Sequence, residues 1–157
     1  DAEARSAALR RAGLWPSGRG RYAPLIGAEG VAAGLLGHLG AAKPSQAVAA
    51  STLFSNLVEQ VMLGRRFVKV LANLIADPSH AANVQMILLN RTQLSAQIVL
   101  RDGRTRLFLP KSASEPDAPI AFACAGEAGI IGGDMLLALA SQAQVAQPND
   151  DTQPAAE

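Results

Sequence analysis

The chain predicts an α+β protein with a helical N-terminal part, a small and mainly antiparallel sheet, and a C-terminal helix. Three observations carry that expectation. Apolar residues recur at helical spacing as far as Ala76 and change to a period of two from Val84. An Asp102-Gly103 pair lies between two short strand-like runs, the signature of a tight hairpin. The apolar content is also mostly aliphatic: 49% of the residues are hydrophobic and only 4% aromatic, so alanine and leucine, both good helix formers, must fill most of the core.

Ala2 to Ala12 reads as a basic helix, with Ala4, Ala8 and Ala12 on one stripe and Arg5 and Arg11 off it. Gly13 stands where a C-capping glycine would, and Pro16 follows shortly. Ser17-Gly18-Arg19-Gly20-Arg21-Tyr22 then forms a loop. Its glycines permit close backbone approach to a ligand, and its arginines suit phosphate oxygens or a narrow minor groove. Tyr22 would pack the loop back onto the protein or touch a sugar. Gly27 to Gly40 is the next helix, with Val31, Leu35 and Leu39 on one face and Leu36 beside it. Gly30, Gly34 and Gly37 weaken it by about 1 kcal/mol each relative to alanine, which points to close helix packing. After a break at Ala41-Ala42-Lys43-Pro44, Ser45 to Gln60 carries Val48, Leu53, Leu57 and Val61 at near-helical spacing. The clearest helix runs from Arg65 to Ala76: Leu63, Phe67, Val70, Leu71, Leu74 and Ile75 make an apolar face. Arg65, Arg66, Lys69 and Asn73 lie toward the other face, solvated or in contact with phosphate or an acidic partner.

Asp77-Pro78-Ser79-His80 stops that helix. Val84, Met86 and Leu88 alternating with Gln85, Ile87 and Leu89 make a well-buried strand, and Asn90 to Ser95 a connection. With Asp102-Gly103 as a two-residue loop, Arg101 opposes Arg104, Leu100 opposes Thr105 and Val99 opposes Arg106. Ala96, Ile98, Leu100, Leu107 and Leu109 then face inward, and Arg101, Arg104 and Arg106 form a second basic patch on the outer face. Opposed like charges destabilise a hairpin, so the patch calls for an acidic neighbour, a phosphate or full exposure; the acidic C-terminal portion is one candidate partner. Residues 111–119 should be a loop. Ile120, Phe122 and Cys124 alternate as another strand, with Cys124 a small buried apolar residue. The glycine-rich stretch from Gly126 to Gly133 is neither a Walker loop nor GxGxxG. Asp134 caps a helix from Met135 to about Val145 with Leu136, Leu139 and Ala140 in its stripe, and a polar, acidic tail follows.

Several function classes lose support. One cysteine allows no internal disulfide and no multi-cysteine zinc site. His38 and His80 are too few and too far apart for an ordinary histidine metal site, and both read as plain surface or half-buried residues. No apolar run reaches the roughly 20 residues of a membrane span, and no signal peptide is visible. There is no Gly-x-Ser-x-Gly elbow and no HExxH, Asp102 and Asp134 are assigned to turn and cap, and Glu29 and Glu59 stand alone on helical faces; no enzyme and no cofactor is expected. The chain begins with Asp1, so an upstream piece is expected to have been removed.

The formal net charge of +1 hides an asymmetry. From Asp1 to Arg21 five arginines face two acids, whereas from Lys111 onward one lysine faces seven acids. Basic heads with acidic ends are common among nucleic-acid partners. Gly13-Leu14, Pro16, Arg19, Arg21 and Tyr22 resemble the recognition-helix end and basic wing of MerR-like winged helices, although Arg21 precedes Tyr22 where that family has the reverse order. The resemblance covers the first quarter of the chain. Over a longer span, including Leu71, Leu74 and Ile75, the pattern is similar to phage and prophage-type proteins of proteobacteria, which supply no activity. The expected organisation is a basic head over 1–42 containing a winged-helix portion, an α+β body over 43–145, and a disordered acidic tail over 146–157. The expected function is DNA binding in a cytoplasmic bacterial or phage transcription regulator, homodimeric, with Arg10, Arg11, Arg19, Arg21 and Tyr22 as contacts and Arg101, Arg104 and Arg106 as the second patch. The alternatives are a structural or assembly protein, such as a phage packaging or adaptor component self-associating through Ala/Leu helices, and a sensor whose β-rich half binds a small ligand.

Overall fold

A computed structural model describes residues 1–15, 26–61, 64–111 and 128–145. Among these the chain is α+β, with six helices and five strands in one antiparallel sheet. The first helix, α1 (Ala2–Arg11), is docked by Leu9, which is fully buried, and not by the alanine stripe, since Ala4 and Ala12 are exposed. It closes as the sequence foretells. Gly13 has a φ of +72°, its N–H donates to the Arg10 carbonyl, and the Leu14 N–H donates to the Leu9 carbonyl. That pair of bonds is a Schellman motif, in which a left-handed residue without a Cβ satisfies the last carbonyls.

Helix α2 (Ala28–Gly40) owes its glycines to its neighbours. A Cβ at Gly37 would lie 2.7 Å from a Leu9 methyl and 2.9 Å from the Ala47 carbonyl oxygen, and one at Gly34 would enter the Trp15 ring. α1 runs antiparallel along α2, since Arg5 bonds the His38 and Ala42 carbonyls, Leu9 meets Gly37 and Trp15 meets Gly34. The helix expected over Ser45 to Gln60 divides. A 3-10 turn (Pro44–Gln46) leads into α3 (Ala47–Ser55), and Val58–Glu59 leaves the helix to become β1, an edge strand paired with β4. α4 (Phe67–Ala76) keeps its expected faces over the described residues: Phe67, Val70, Leu71, Leu74 and Ile75 are buried, while Arg65, Arg66, Lys69 and Asn73 are exposed; Leu63, expected on the apolar face, lies outside the described residues. Asp77 then accepts a 2.8 Å bond from the Ser79 N–H, capping the short α5 (Pro78–Ala81).

The sheet follows the order β1-β4-β3-β2-β5, with β2 (Val84–Asn90), β3 (Ser95–Leu100), β4 (Thr105–Leu109) and β5 (Ala128–Gly132). An irregularity in β2 between Val84 and Met86 shifts the parity, so Val84, Ile87 and Leu89 all face the core. β5 falls within the glycine-rich stretch, and its Gly129 is tied to close packing. A Cβ at Gly129 would sit 2.6 Å from the Leu39 carbonyl oxygen. α6 (Gly133–Val145) buries Leu136 and Ala140 against α4 and β2. Leu9, Ala32 and Leu36 from the first 42 residues share one buried cluster with Phe67, Leu71, Ile87, Ile98, Phe108 and Ile131. The expected strand at Ile120, Phe122 and Cys124, and the tail, lie outside the described residues.

The hairpin forms, but its register differs from the expected one. Ile98 pairs with Arg106 and Val99 with Thr105, so the loop has three residues, Arg101-Asp102-Gly103. Gly103, at φ +84°, donates its N–H to the Leu100 carbonyl, and Leu100 donates to the Arg104 carbonyl. An Asp-Gly pair serves this turn-plus-bulge as well as the two-residue turn, because glycine takes the left-handed position in both. A slip of one residue exchanges the faces of β4. Phe108 therefore reaches the core in place of Leu107, and Arg106 and Arg104 follow it to the helix side.

Candidate functional site

Two basic regions stand out. The first is the C-terminal end of α1. Arg10 and Arg11 occupy its last turn, where cations complement the helix dipole, and both are exposed. Neither guanidinium has a hydrogen bond or ion pair with another of the described residues. Arg19, Arg21 and Tyr22, and with them the wing of the resemblance, lie outside the described residues. The segment carrying them begins after Trp15, packed at Gly34, and ends before Ile26, packed at Gly30. Glu29, one turn from Ile26, bonds the Lys69 ammonium at 2.5 Å. Glu29, in the first turn of α2, is thus beside Lys69 of α4.

The other regions of cations are largely compensated. Arg5 is held by backbone carbonyls, and its neighbour Ser6 lies 3.0 Å from His38 Nε2, while the Trp15 ring meets the imidazole edge-on. His38 thus has partners that the sequence does not disclose. Burial, and then the Arg5 charge, lower its pKa from the ordinary histidine value. The unfolded chain accordingly takes up a proton more readily than the folded one. The stability associated with neutral His38 is complete above about pH 6.5 and is lost as the pH falls below it. His38→Gln should flatten that acid limb in thermal unfolding; an identical limb in the variant would assign it to other groups.

The second region is a cavity of about 410 Å³ between α4, α5 and the β3–β4 hairpin. Val70, Leu74 and Leu100 form its apolar floor; Arg65, Asn73, His80, Asn83, Arg101, Asp102, Arg104 and Arg106 supply its polar lining. The three hairpin arginines do meet at one place, on the helix side of the hairpin and not on the outer face of the expected register. Each has a partner. Arg106 makes a bidentate pair with Glu59 at 2.6 and 2.8 Å. The Glu59 side chain is only 4% exposed, and its guanidinium partner 28%. Glu59 is therefore a buried strand residue, not a solitary acid on a helix. Arg104 bonds Asp102 at 2.7 Å, and Asp102 also accepts the Arg104 N–H; that backbone bond and then the side-chain bond hold its carboxyl below the usual range. Arg101 donates to the Ala82 carbonyl and reaches Asp134 at 3.3 Å. Asp134 stands within the first turn of α6 and pairs with the hairpin, where the sequence predicts a cap. Arg65, Asn73, His80 and Asn83 join the arginines from three other segments.

Together these features describe an α+β protein with a fully antiparallel five-stranded sheet, a helical layer containing α2, α4 and α6, and two basic surfaces. No protein-family model, no curated protein and no solved structure matches the chain. Among the described residues no helix is long and apolar enough to cross a membrane, and no group of three or more His, Cys, Asp or Glu side chains is placed to hold a metal ion.

Proposed function

We propose that the protein binds DNA through phosphate contacts made by the end of α1 and the basic segment after it, as a bacterial or phage regulator would. The observation that supports this is the exposed Arg10-Arg11 pair on a helix whose buried Leu9 and bonded Arg5 fix its position. Most other cations of the described part are engaged: Lys69, Arg101, Arg104 and Arg106 pair with carboxylates. A guanidinium without a partner among the described residues, held on a docked element and followed in sequence by Arg19-Gly20-Arg21, suits the phosphodiester backbone. No base is assigned. Arg66, exposed just before α4, would extend the footprint.

Replacing Arg19 and Arg21 with alanine should weaken duplex binding in a salt titration and flatten its dependence on salt. Unchanged affinity and slope would remove the loop from the contact surface. The assembly reading has less to draw on. The apolar faces of α2, α4 and α6 are largely used in the core, and among the described residues Leu53, Val61, Ile130 and Met135 are the large exposed apolar side chains, distributed over separate segments. A homodimer, if it forms, would have to gather these.

A further inference from the structure

We infer that the cavity between α4, α5 and the β3–β4 hairpin binds a small phosphomonoester carrying a flat apolar or heteroaromatic body. This inference is independent of the DNA reading, which concerns the end of α1.

The cavity is preformed on both sides. Arg106 fixes β4 to β1 through the buried pair with Glu59. The turn is tied to α5 by the Arg101 N–H on the Asn83 carbonyl and by Arg101 Nε on the Ala82 carbonyl, each at 2.9 Å. The opposite wall is α4, whose Val70 and Leu74 are almost wholly buried and cannot swing away. Its volume of about 410 Å³ is that of a small-molecule site. A duplex cannot enter it and could only touch its rim.

The lining selects the chemistry. An aliphatic floor of Val70, Leu74 and Leu100 offers no hydrogen bond, so the part of a ligand resting there is apolar or presents a ring face. Asn73 and Asn83 each supply a donor and an acceptor at the edge, which suits a heteroaromatic ring. Arg65 approaches from just before α4, and Arg101 and Arg104 from the hairpin. A carboxylate matches one guanidinium fork, whereas a terminal phosphate has three acceptor oxygens and nearly two charges to share among several. The existing ion pairs do not block this. Asp102 and Asp134 are half or more exposed, so their bonds to Arg104 and Arg101 are solvated and exchangeable. Arg65 has no carboxylate partner among the described residues. Arg106 keeps Glu59 and acts as a positioning residue.

The test is calorimetric titration of the full chain with adenosine monophosphate, adenosine and inorganic phosphate as probes. Adenosine monophosphate should bind more tightly than either of the others. Arg65→Ala with Arg104→Ala should weaken it by at least about ten-fold, as should Asn73→Asp, which adds a carboxylate to the lining. All three substitutions are at exposed positions, and a thermal melt checks that the fold is kept. Absence of binding at millimolar probe would overturn the inference. So would binding that the two-arginine variant leaves unchanged, or inorganic phosphate binding as tightly as the nucleotide. Arg10→Ala with Arg11→Ala should leave nucleotide binding intact, so this inference and the DNA reading fail separately.

Discussion

Replacing Arg106 with alanine should lower the unfolding free energy by about 3–5 kcal/mol, the range for removing one partner of a buried ion pair. Glu59 would be left facing the core with both oxygens stripped of their bidentate donor. Because the Arg106 side chain is 28% exposed, water can reach part of the vacated space, which favours the lower end of that range. Arg104→Ala is the control. Its pair with Asp102 lies on the exposed turn, with side chains 78% and 50% accessible, and its loss should stay within about 1 kcal/mol. Urea titrations of the two variants measure both quantities. Equal losses would contradict the placement of Glu59 on the buried side of β1. Substituting Glu59→Met together with Arg106→Leu should restore part of the deficit, since an apolar pair carries no desolvation penalty.

Leu9→Ala should produce the second large loss, about 3–5 kcal/mol, as expected for a leucine truncated in a closed core. Leu9 is fully buried and packed against the bare backbone of Gly37, with its carbonyl accepting from Leu14. The surrounding backbone leaves little room to collapse into the gap. The variant should also loosen α1 as a unit, so amide exchange should accelerate there more than in α4. Uniform acceleration through both helices would contradict α1 docking mainly through this residue. A freely moving α1 would no longer hold Arg10 and Arg11 in one orientation, so duplex affinity should fall as well, which links the packing to the proposed contact.

What the sequence discloses follows from how local each determinant is. The period of α4, the stop at Asp77-Pro78 and the Gly13 cap are written in adjacent residues, and they appear where expected. The purpose of the α2 glycines is also legible, because repeated helix weakening needs a compensating close contact, here from Trp15, Leu9 and Phe54. The hairpin is visible but its register is not. Asp-Gly fits both turns, and the choice falls to partners far away: Phe108 against Phe67, with ring centroids 4.8 Å apart, and Arg106 with Glu59. β1 is hidden for a similar reason. Two residues cannot establish a period, and Val58-Glu59 becomes a strand only because β4 lies beside it. β5 shows in the sequence only as part of a glycine-rich stretch, because Gly129 there admits the Leu39 backbone of α2 and Gly133, just after it, the Val84 backbone of β2.

The site divides in the same way. Arg10, Arg11 and the following Gly/Arg loop are neighbours in the chain, so their clustering is visible at once. The cavity draws Arg65 from just before α4, Asn73 from α4, His80 and Asn83 from the α5 region, and its other arginines from the hairpin. On α4 the exposed basic face is indistinguishable in sequence from a solvated one. Only the packing of the hairpin against that helix turns it into a lining.

The proposed DNA contact is tested most directly by the slope of log affinity against log salt for a duplex, compared between the wild-type chain and the Arg10→Ala, Arg11→Ala variant. Each phosphate contact released should reduce the magnitude of the slope by about 0.9, so a variant that loses two contacts should be shallower by about 1.8 and bind more weakly at low salt. The same slope and the same affinity in both proteins would contradict phosphate binding by the end of α1.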